Sequence, residues 1–244
     1  MISSTSGIVL RTIKYGETSV ICSIFTEVYG LQSYLVKGVR TDKKQSKKGN
    51  ILRPGNILDL QVYHQPAKNL QYLKEFQLAC FYKHIGEDII KNSILLFCVE
   101  VLSNFLITED EQCDLYDFAI DFLHYLDAAD PKKIANLPLY FVIQTAQIMG
   151  YGIQNNYSSS HCYLNTYEGR FEMAMGNALP IFDKELSLAA SQCLVPHSTD
   201  TFAALSLPAL DRRYLLEGYL HFLQIHDNNF KPLKSLEVLQ AILH

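Results

Sequence analysis

In the first 80 positions, hydrophobic residues alternate with polar ones, and this spacing is the strongest constraint on the fold. In NILDLQVYH, residues 56–64, aliphatic side chains alternate with Asp59, Gln61 and Tyr63. A period of two residues is typical of a β-strand with one buried face. The same kind of segment recurs along this part of the chain. We therefore predict strands over residues 7–13, 19–26, 31–39, 56–64 and 70–78.

Turn-forming residues separate the predicted strands. The turn segments are Tyr15-Gly16-Glu17, Tyr29-Gly30, Arg53-Pro54-Gly55-Asn56 and Gln65-Pro66-Ala67. Each contains a glycine or a proline, which are suited to tight turns. Five short strands within about 80 residues favour a small closed barrel, because closure removes exposed sheet edges.

After Cys80 the hydrophobic spacing changes toward the helical period of 3.6 residues. One apolar stripe contains Leu115, Phe118, Ala119, Phe122 and Leu126. Further helices are predicted over 137–149, capped by Asn136 and ended by Gly150, over 208–224 and over 233–243. Residues 151–182 have a weaker pattern and are predicted to be an irregular insertion. The chain is thus expected to be an α+β protein with a barrel domain, residues 1–80, and a mostly helical domain, residues 81–244.

Charge is divided unevenly between these two parts. Residues 1–80 hold eleven Lys or Arg against five Asp or Glu, a net charge of +6. The remainder holds ten against twenty, a net charge of -10, and the whole chain has -4. Such asymmetry indicates two domains with different electrostatic roles.

Most of the excess positive charge lies in VKGVRTDKKQSKKG, residues 36–49, where one acid, Asp42, offsets six cations. A solubilising loop and a surface for a polyanion both fit this pattern, and we expect the loop 41–50 to be mobile without a ligand. Cations neutralise phosphates and aromatic rings stack on bases. Tyr15, Tyr34 and Tyr63 are aromatic candidates, although strand tyrosines are more often core. The predicted nucleic-acid-binding residues are Arg11, Lys14, Lys37, Arg40, Lys43, Lys44, Lys47, Lys48 and Arg53.

No pattern in the sequence points to catalysis. Asp114, Asp117 and Asp121 would share one helix face, which a metal-dependent nuclease could use, but without histidine partners they favour a solvated face. His161-Cys162 has no second cysteine nearby to complete a zinc site. Nucleotide-binding, hydrolase and cofactor motifs are not found. Scattered cysteines favour a reduced intracellular protein, and neither a secretory signal nor a membrane span is evident.

Residues 7–40 resemble the start of the bacterial recombination mediator family RecO. The resemblance is carried by Val9-Leu10, Tyr15-Gly16-Glu17, the turn from Thr26 to Gly30, and Lys37-Gly38-Val39-Arg40. The ending FKPLKSLEVLQAIL resembles the last helix of the family. The family pattern departs at the zinc finger, where this chain has only Cys162, so the resemblance implies a version without zinc and without a cofactor.

The resemblance also implies a fold and a function. It implies an N-terminal OB-fold followed by a helical domain, in a non-enzymatic cytoplasmic protein that associates with the nucleoid during repair. Its members bind single- and double-stranded DNA, anneal strands, and load RecA with RecR, and sometimes RecF, on DNA covered by single-strand DNA-binding protein (SSB). Lys37 and Arg40 match its K-G-x-R segment and are expected to contact phosphates.

Two questions stay open from the sequence. The acidic C-terminal tail of SSB needs a basic or apolar pocket, which Arg212 and Arg213, or Lys231 and Lys234, would provide. Helix-end charges explain these four residues equally well. The alternative to DNA binding is a protein-interaction adaptor whose basic loop recognises an acidic partner.

Overall fold

A computed structural model describes residues 2–39, 47–107, 110–173 and 182–243 of the chain. The chain forms two compact units. The first comprises Met1–Lys83 and Leu106–Asp121, and the second comprises His84–Phe105 and Phe122–His244. The first unit therefore contains the predicted barrel together with the first part of a helix, and the second unit is largely helical.

The barrel is closed by five strands in the order β1-β2-β3-β5-β4. They are β1 Ile2–Tyr15, β2 Ser19–Thr26, β3 Gly30–Val36, β4 Ile57–Tyr63 and β5 Leu70–Leu78. Neighbours are antiparallel except β3 and β5, which run parallel. The predicted five-stranded barrel is thus confirmed. β3 ends before its predicted limit because Gly38 has a φ of 67°, which turns the chain out of the strand.

The interior of the barrel is filled by the inward-pointing residues of all five strands. Val9, Cys22, Ile24, Tyr34 and Leu60 are among its buried members. Gly7 of β1 lies so close to β2 that an added Cβ would meet Ile24 Cγ2 at 2.6 Å. The packing leaves no room there for a larger residue. Tyr116 lies edge-on to Phe25, with ring centroids 5.4 Å apart, and so joins the helix of this unit to the barrel.

A short helix, α1 Lys47–Ile51, ends the segment that the sequence predicts to be a loop over 41–50. Residues 40–46 lie outside the described residues. The helix is fixed to the barrel by side-chain donors: Thr12 Oγ1 donates to the Leu52 carbonyl at 2.7 Å. Asn56 Nδ2 donates to the carbonyls of Asn50, at 3.1 Å, and Ile51, at 2.9 Å. At its end, the basic segment is therefore attached to the barrel rather than detached from it.

After α1, the described residues contain the helices α2 Ile89–Phe105, α3 Cys113–Ala128, α4 Leu137–Ile148, α5 Lys184–Cys193, α6 Thr199–Ala203, α7 Ala209–His226 and α8 Ser235–Ile242. A single 3₁₀ turn, Pro131–Lys133, precedes α4. The helices predicted around Leu115–Leu126 and over 137–149, 208–224 and 233–243 are confirmed. Among the described residues, no helix has both the length and the apolar character to cross a membrane.

One predicted cap is wrong. Asn136 stands at the N-cap position of α4, but its side chain makes no capping hydrogen bond. Its amide Nδ2 instead donates to the carbonyls of Phe202, at 3.3 Å, and Leu205, at 2.9 Å. Burial explains the difference, since Asn136 is 4% exposed and satisfies the carbonyls that end α6.

The predicted irregular insertion contains a small two-stranded sheet. β6 Tyr163–Asn165 pairs with β7 Arg170–Glu172, and Gly169 turns between them with a φ of 65°. The side chain of Asn156 serves as a second partner for β7: its Oδ1 accepts from the Phe171 N–H at 2.7 Å and its Nδ2 donates to the Phe171 carbonyl at 2.9 Å. The Asn156 side chain thus adds to the backbone bridge that Gln154 makes with Arg170 on the same strand.

We predict that Asn156→Ala destabilises this insertion, because the Phe171 backbone groups would lose both partners. The expected loss is about 1–3 kcal/mol in the free energy of unfolding of the second unit. Chemical denaturation measures it, with Gln154→Ala, an exposed side chain two residues away, as the matched control.

EDTA is expected to leave the melting temperature of the protein unchanged. A fall in that temperature with EDTA would contradict an insertion held by amide hydrogen bonds.

We also predict that Asn56→Ala loosens α1, since two carbonyls at the end of the helix would lose their donor. Backbone amides of residues 47–55 should then exchange with deuterium faster, at a cost of about 1–2 kcal/mol. Asn50→Ala is the control, because Asn50 Oδ1 accepts only an exposed bond from Arg53 Nη2 at 3.1 Å. Equal exchange in the two variants would show that Asn56 does not hold the helix.

Candidate nucleic-acid interface

Five of the nine predicted DNA-binding cations are described, and all five are exposed: Arg11, Lys14, Lys37, Lys48 and Arg53. Arg40, Lys43 and Lys44 lie outside the described residues, as does the side chain of Lys47. An exposed cation can contact a phosphate without first losing a buried partner. We call the five described residues the cationic surface.

Lys37 has the best-defined surroundings of the five. It follows the last residue of β3, and its Nζ lies 5.7 Å from the ring centroid of Tyr72 on β5. The parallel pairing of β3 with β5 aligns Leu35 with Tyr72, so Lys37 has to reach back over the ring. A cation over an aromatic face is attracted by the quadrupole of the ring. The position of Lys37 therefore follows from the closure of the barrel.

Arg11 and Lys14 lie on β1 but do not share a face. The register between β1 and β2 shifts between Val9 and Arg11, and Arg11 is aligned with Ser23. Lys14 is aligned with Val20, whose side chain belongs to the core. Lys14 therefore has the inward phase of the strand and is exposed at the rim of the barrel, whereas Arg11 lies on its outer face.

Lys48 has a mixed environment. It lines an open cleft of the barrel unit together with three carboxylates, those of Glu27, Asp59 and Glu75, and with Lys74. The carboxylates reduce the positive potential that a phosphate would meet there. Lys48 is therefore the least suited of the five described cations to bind a polyanion.

The three aromatic candidates separate into two groups. Tyr34 is fully buried in the barrel core, so its interpretation as a stacking residue is wrong. Tyr15 and Tyr63 are 51% and 40% exposed. Sequence reasoning missed Tyr72, which is 45% exposed, because the spacing in β5 does not alternate regularly.

Among the described residues, the carboxylates considered for catalysis do not form a metal-binding cluster. Asp114, Asp117 and Asp121 are all exposed on α3. In the described parts of the chain, no three His, Cys, Asp or Glu side chains come close enough to hold a metal ion. His161 Nδ1 lies 3.1 Å from the hydroxyl of Ser160, and Ser158 is at 3.4 Å.

Of the four cations considered for binding a protein partner, two line a pocket and two do not. Arg212 and Arg213 line a pocket of about 310 Å³ in the helical unit, with apolar residues from α4, α7 and α8 as its other walls. Lys231 and Lys234 do not line it. Their backbone N–H groups donate to Asn104 Oδ1 at 2.8 Å and to Glu100 Oε1 at 2.9 Å.

The two arginines of this pocket differ in their bonding. Arg212 is partly buried, its Nη1 donates to the Leu207 carbonyl at 3.3 Å, and burial lowers its pKa from the ordinary value. Arg213 Nε donates to Glu217 Oε1 at 3.0 Å across one helical turn. Sequence reasoning found the arginines but missed the apolar walls, among them Leu139, Leu216 and Leu239. These come from three separate helices, which no local pattern connects.

Comparison with known proteins identifies both units. The family model described as "Recombination protein O N terminal" matches residues 1–82, and "Recombination protein O C terminal" matches residues 86–226. The chain is 30% identical to the DNA repair protein RecO of Flavobacterium psychrophilum over 98% of both chains. It is 26% identical to that of Christiangramia forsetii and 25% identical to that of Phocaeicola vulgatus, in each case over 99% of both chains. The chain therefore belongs to the RecO family.

Proposed function

We propose that this chain is a non-enzymatic recombination mediator in DNA repair that binds DNA through the cationic surface of its barrel. Membership of the RecO family supports a role in DNA repair and recombination. The observation that carries the DNA-binding part is the exposure of Arg11, Lys14, Lys37, Lys48 and Arg53 on a barrel segment with a net charge of +6.

The physical basis of this binding is counterion release. Each phosphate that a Lys or Arg neutralises releases condensed cations from the nucleic acid, which favours association regardless of base sequence. Two strands whose phosphates are partly neutralised can approach each other with less repulsion. This supports strand annealing as an activity of the chain.

The acidic part of the chain has a complementary role in the proposal. The helical unit, residues 84–105 and 122–244, holds nine Lys or Arg against fourteen Asp or Glu, a net charge of -5, which repels DNA and leaves this surface for proteins. We propose that RecR, and RecF where it takes part, bind the acidic helical unit while DNA binds the barrel. RecA loading on SSB-covered DNA would then follow from holding DNA on one unit and proteins on the other.

The salt dependence of DNA binding tests the proposed function. A labelled single-stranded oligonucleotide, titrated at several salt concentrations, should give a slope of log affinity against log salt near -3 if about four phosphates are contacted. Changing Lys37, Arg40, Lys43 and Lys44 to Ser should flatten that slope by about 2 or more. Fluorescence anisotropy measures both slopes. Lys48 is left unchanged because carboxylates surround it.

The control removes four exposed lysines from the helical unit, Lys132, Lys133, Lys231 and Lys234. It should keep the wild-type slope. Equal slopes in the two variants, or no binding at low salt, would overturn DNA binding by the barrel and favour the adaptor with an acidic protein partner. Cleavage of the oligonucleotide with magnesium or manganese would contradict the non-enzymatic assignment.

We further propose that the pocket containing Arg212 and Arg213 binds the C-terminal tail of SSB. A peptide that ends in a carboxylate and carries apolar side chains needs guanidinium donors beside an apolar wall. The pocket offers both, since leucines from three helices surround the two arginines. Glu100 supports this wall by accepting the N–H groups of Lys234 and Ser235 at the start of α8.

Binding of the SSB tail in the pocket of Arg212 and Arg213 is tested separately from DNA binding. Leu210→Glu places a carboxylate at an exposed pocket residue and should weaken binding of a labelled SSB-tail peptide by about tenfold, or about 1.4 kcal/mol. Arg213→Ala should weaken it as well. Lys231→Ala with Lys234→Ala is the control and should leave binding unchanged. A loss confined to the lysine variant would place the tail elsewhere.

A further inference from the structure

The outward-pointing side chains of the barrel strands also form a regular pattern. Cys22, Tyr34 and Val62 point inward and belong to the core. Because side chains of a strand alternate between faces, the residues that follow or precede them point outward. On β2, β3 and β4 these neighbours are Ile21, Leu35 and Tyr63, all of which are apolar or aromatic.

Strand register joins these outward residues into one row. Ile13 is aligned with Ile21, and Ile21 with Leu35. Leu35 is aligned with Tyr72, and Tyr72 with Tyr63. Tyr63 is aligned with Ile2 at the start of β1. We call this set the outer row: Ile2, Ile13, Ile21, Leu35, Tyr63 and Tyr72.

Four of the six members of the outer row are exposed, whereas Ile21 is partly buried and Leu35 is 8% exposed. Ile2 is 48%, Ile13 42%, Tyr63 40% and Tyr72 45% exposed. Polar residues flank it on the same face, among them Ser23 and Ser33, which is the ordinary composition of a solvated sheet face. Because the row passes through all five strands of the closed barrel, only its neighbouring members share one surface. Tyr63 and Tyr72, aligned on β4 and β5, are its exposed aromatic pair.

The charges beside the outer row indicate what it binds. Lys37 Nζ lies over the Tyr72 ring, and Arg11 has the same outward phase as Ile13, two residues away on β1. Lys37 lies over the ring face in the DNA-free chain, so a stacking base would replace it there and leave its ammonium for a phosphate. A ring paired with such a cation matches a strand whose bases have aromatic faces and whose backbone is anionic. Glu75 is aligned with Gln61, two residues from Tyr63, and limits the surface toward that end of β4.

From this geometry we propose that Tyr63 and Tyr72 form a base-stacking platform, which makes the barrel prefer single-stranded over double-stranded DNA. The proposal rests on the proposed function and deepens it. Bases of a single strand can turn their faces toward the tyrosines, while Lys37 and Arg11 contact its phosphates. In a duplex the faces are already stacked on each other, so only the charge contacts remain.

An abasic strand tests the platform separately from the charges. It has the same phosphates as a normal strand of equal length but no base to stack. Wild-type protein should bind the normal strand at least about fivefold more tightly than the abasic strand. With Tyr63→Leu and Tyr72→Leu together, this ratio should fall to about one, while affinity for a blunt duplex stays unchanged.

Two further variants control this experiment. Tyr63→Phe with Tyr72→Phe keeps both ring faces and should keep the wild-type ratio, which separates stacking from hydroxyl chemistry and from misfolding. Tyr167→Leu with Tyr214→Leu changes two exposed tyrosines of the helical unit and should also keep it.

Each outcome is decisive. A leucine variant that keeps the wild-type ratio, or wild-type protein that binds normal and abasic strands equally, overturns the platform but leaves charge-driven DNA binding standing. Wild-type protein that binds neither strand overturns the proposed function itself. A change in the sedimentation of DNA-free protein on Tyr63→Leu and Tyr72→Leu would show that the outer row joins two copies of the chain, which also overturns the platform.

Discussion

The parallel pairing of β3 with β5 is the contact on which the barrel depends, because it closes the sheet. Ser33, Tyr34 and Leu35 are aligned with Leu70, Gln71 and Tyr72. Without this pairing both strands would be open edges with unpaired backbone groups. Closure also fixes the phase of every strand, so that Tyr34 enters the core and Tyr72 faces outward. One backbone contact thus decides which tyrosines can reach a ligand.

The phase of the strands also explains how charge and apolar surface come together. Cations cannot enter a packed barrel interior, so they occupy its outer face, its rim and the segment after β3. Arg11 is outward on β1, and Lys37 follows the end of β3. The segment beyond Lys37 returns to the barrel through α1, which Thr12 and Asn56 hold by hydrogen bonds.

How far the sequence predicts the structure depends on the length of each pattern. β2 and β5 match their predicted limits at both ends, since turn-forming residues precede both strands and long runs of strand-forming residues fill them. β6 and β7 have three residues each, which is too short for any period, and a side chain, Asn156, completes their bonding. The cap predicted for Asn136 is wrong, and Tyr34, for which a core and a stacking role were both open, is a core residue. Burial, which local sequence does not reveal, decides both roles. The pocket of Arg212 joins three helices and was beyond local patterns for the same reason.

The central claim is that DNA lies on the barrel and not on the helical unit. Photochemical cross-linking of a single-stranded oligonucleotide, followed by mass spectrometry of the linked peptides, tests it most directly. If DNA lies on the barrel, cross-links form in peptides that contain Arg11, Lys37, Tyr63 or Tyr72, and unlabelled strand abolishes them by competition. Cross-links confined to residues 84–105 and 122–243 would contradict it.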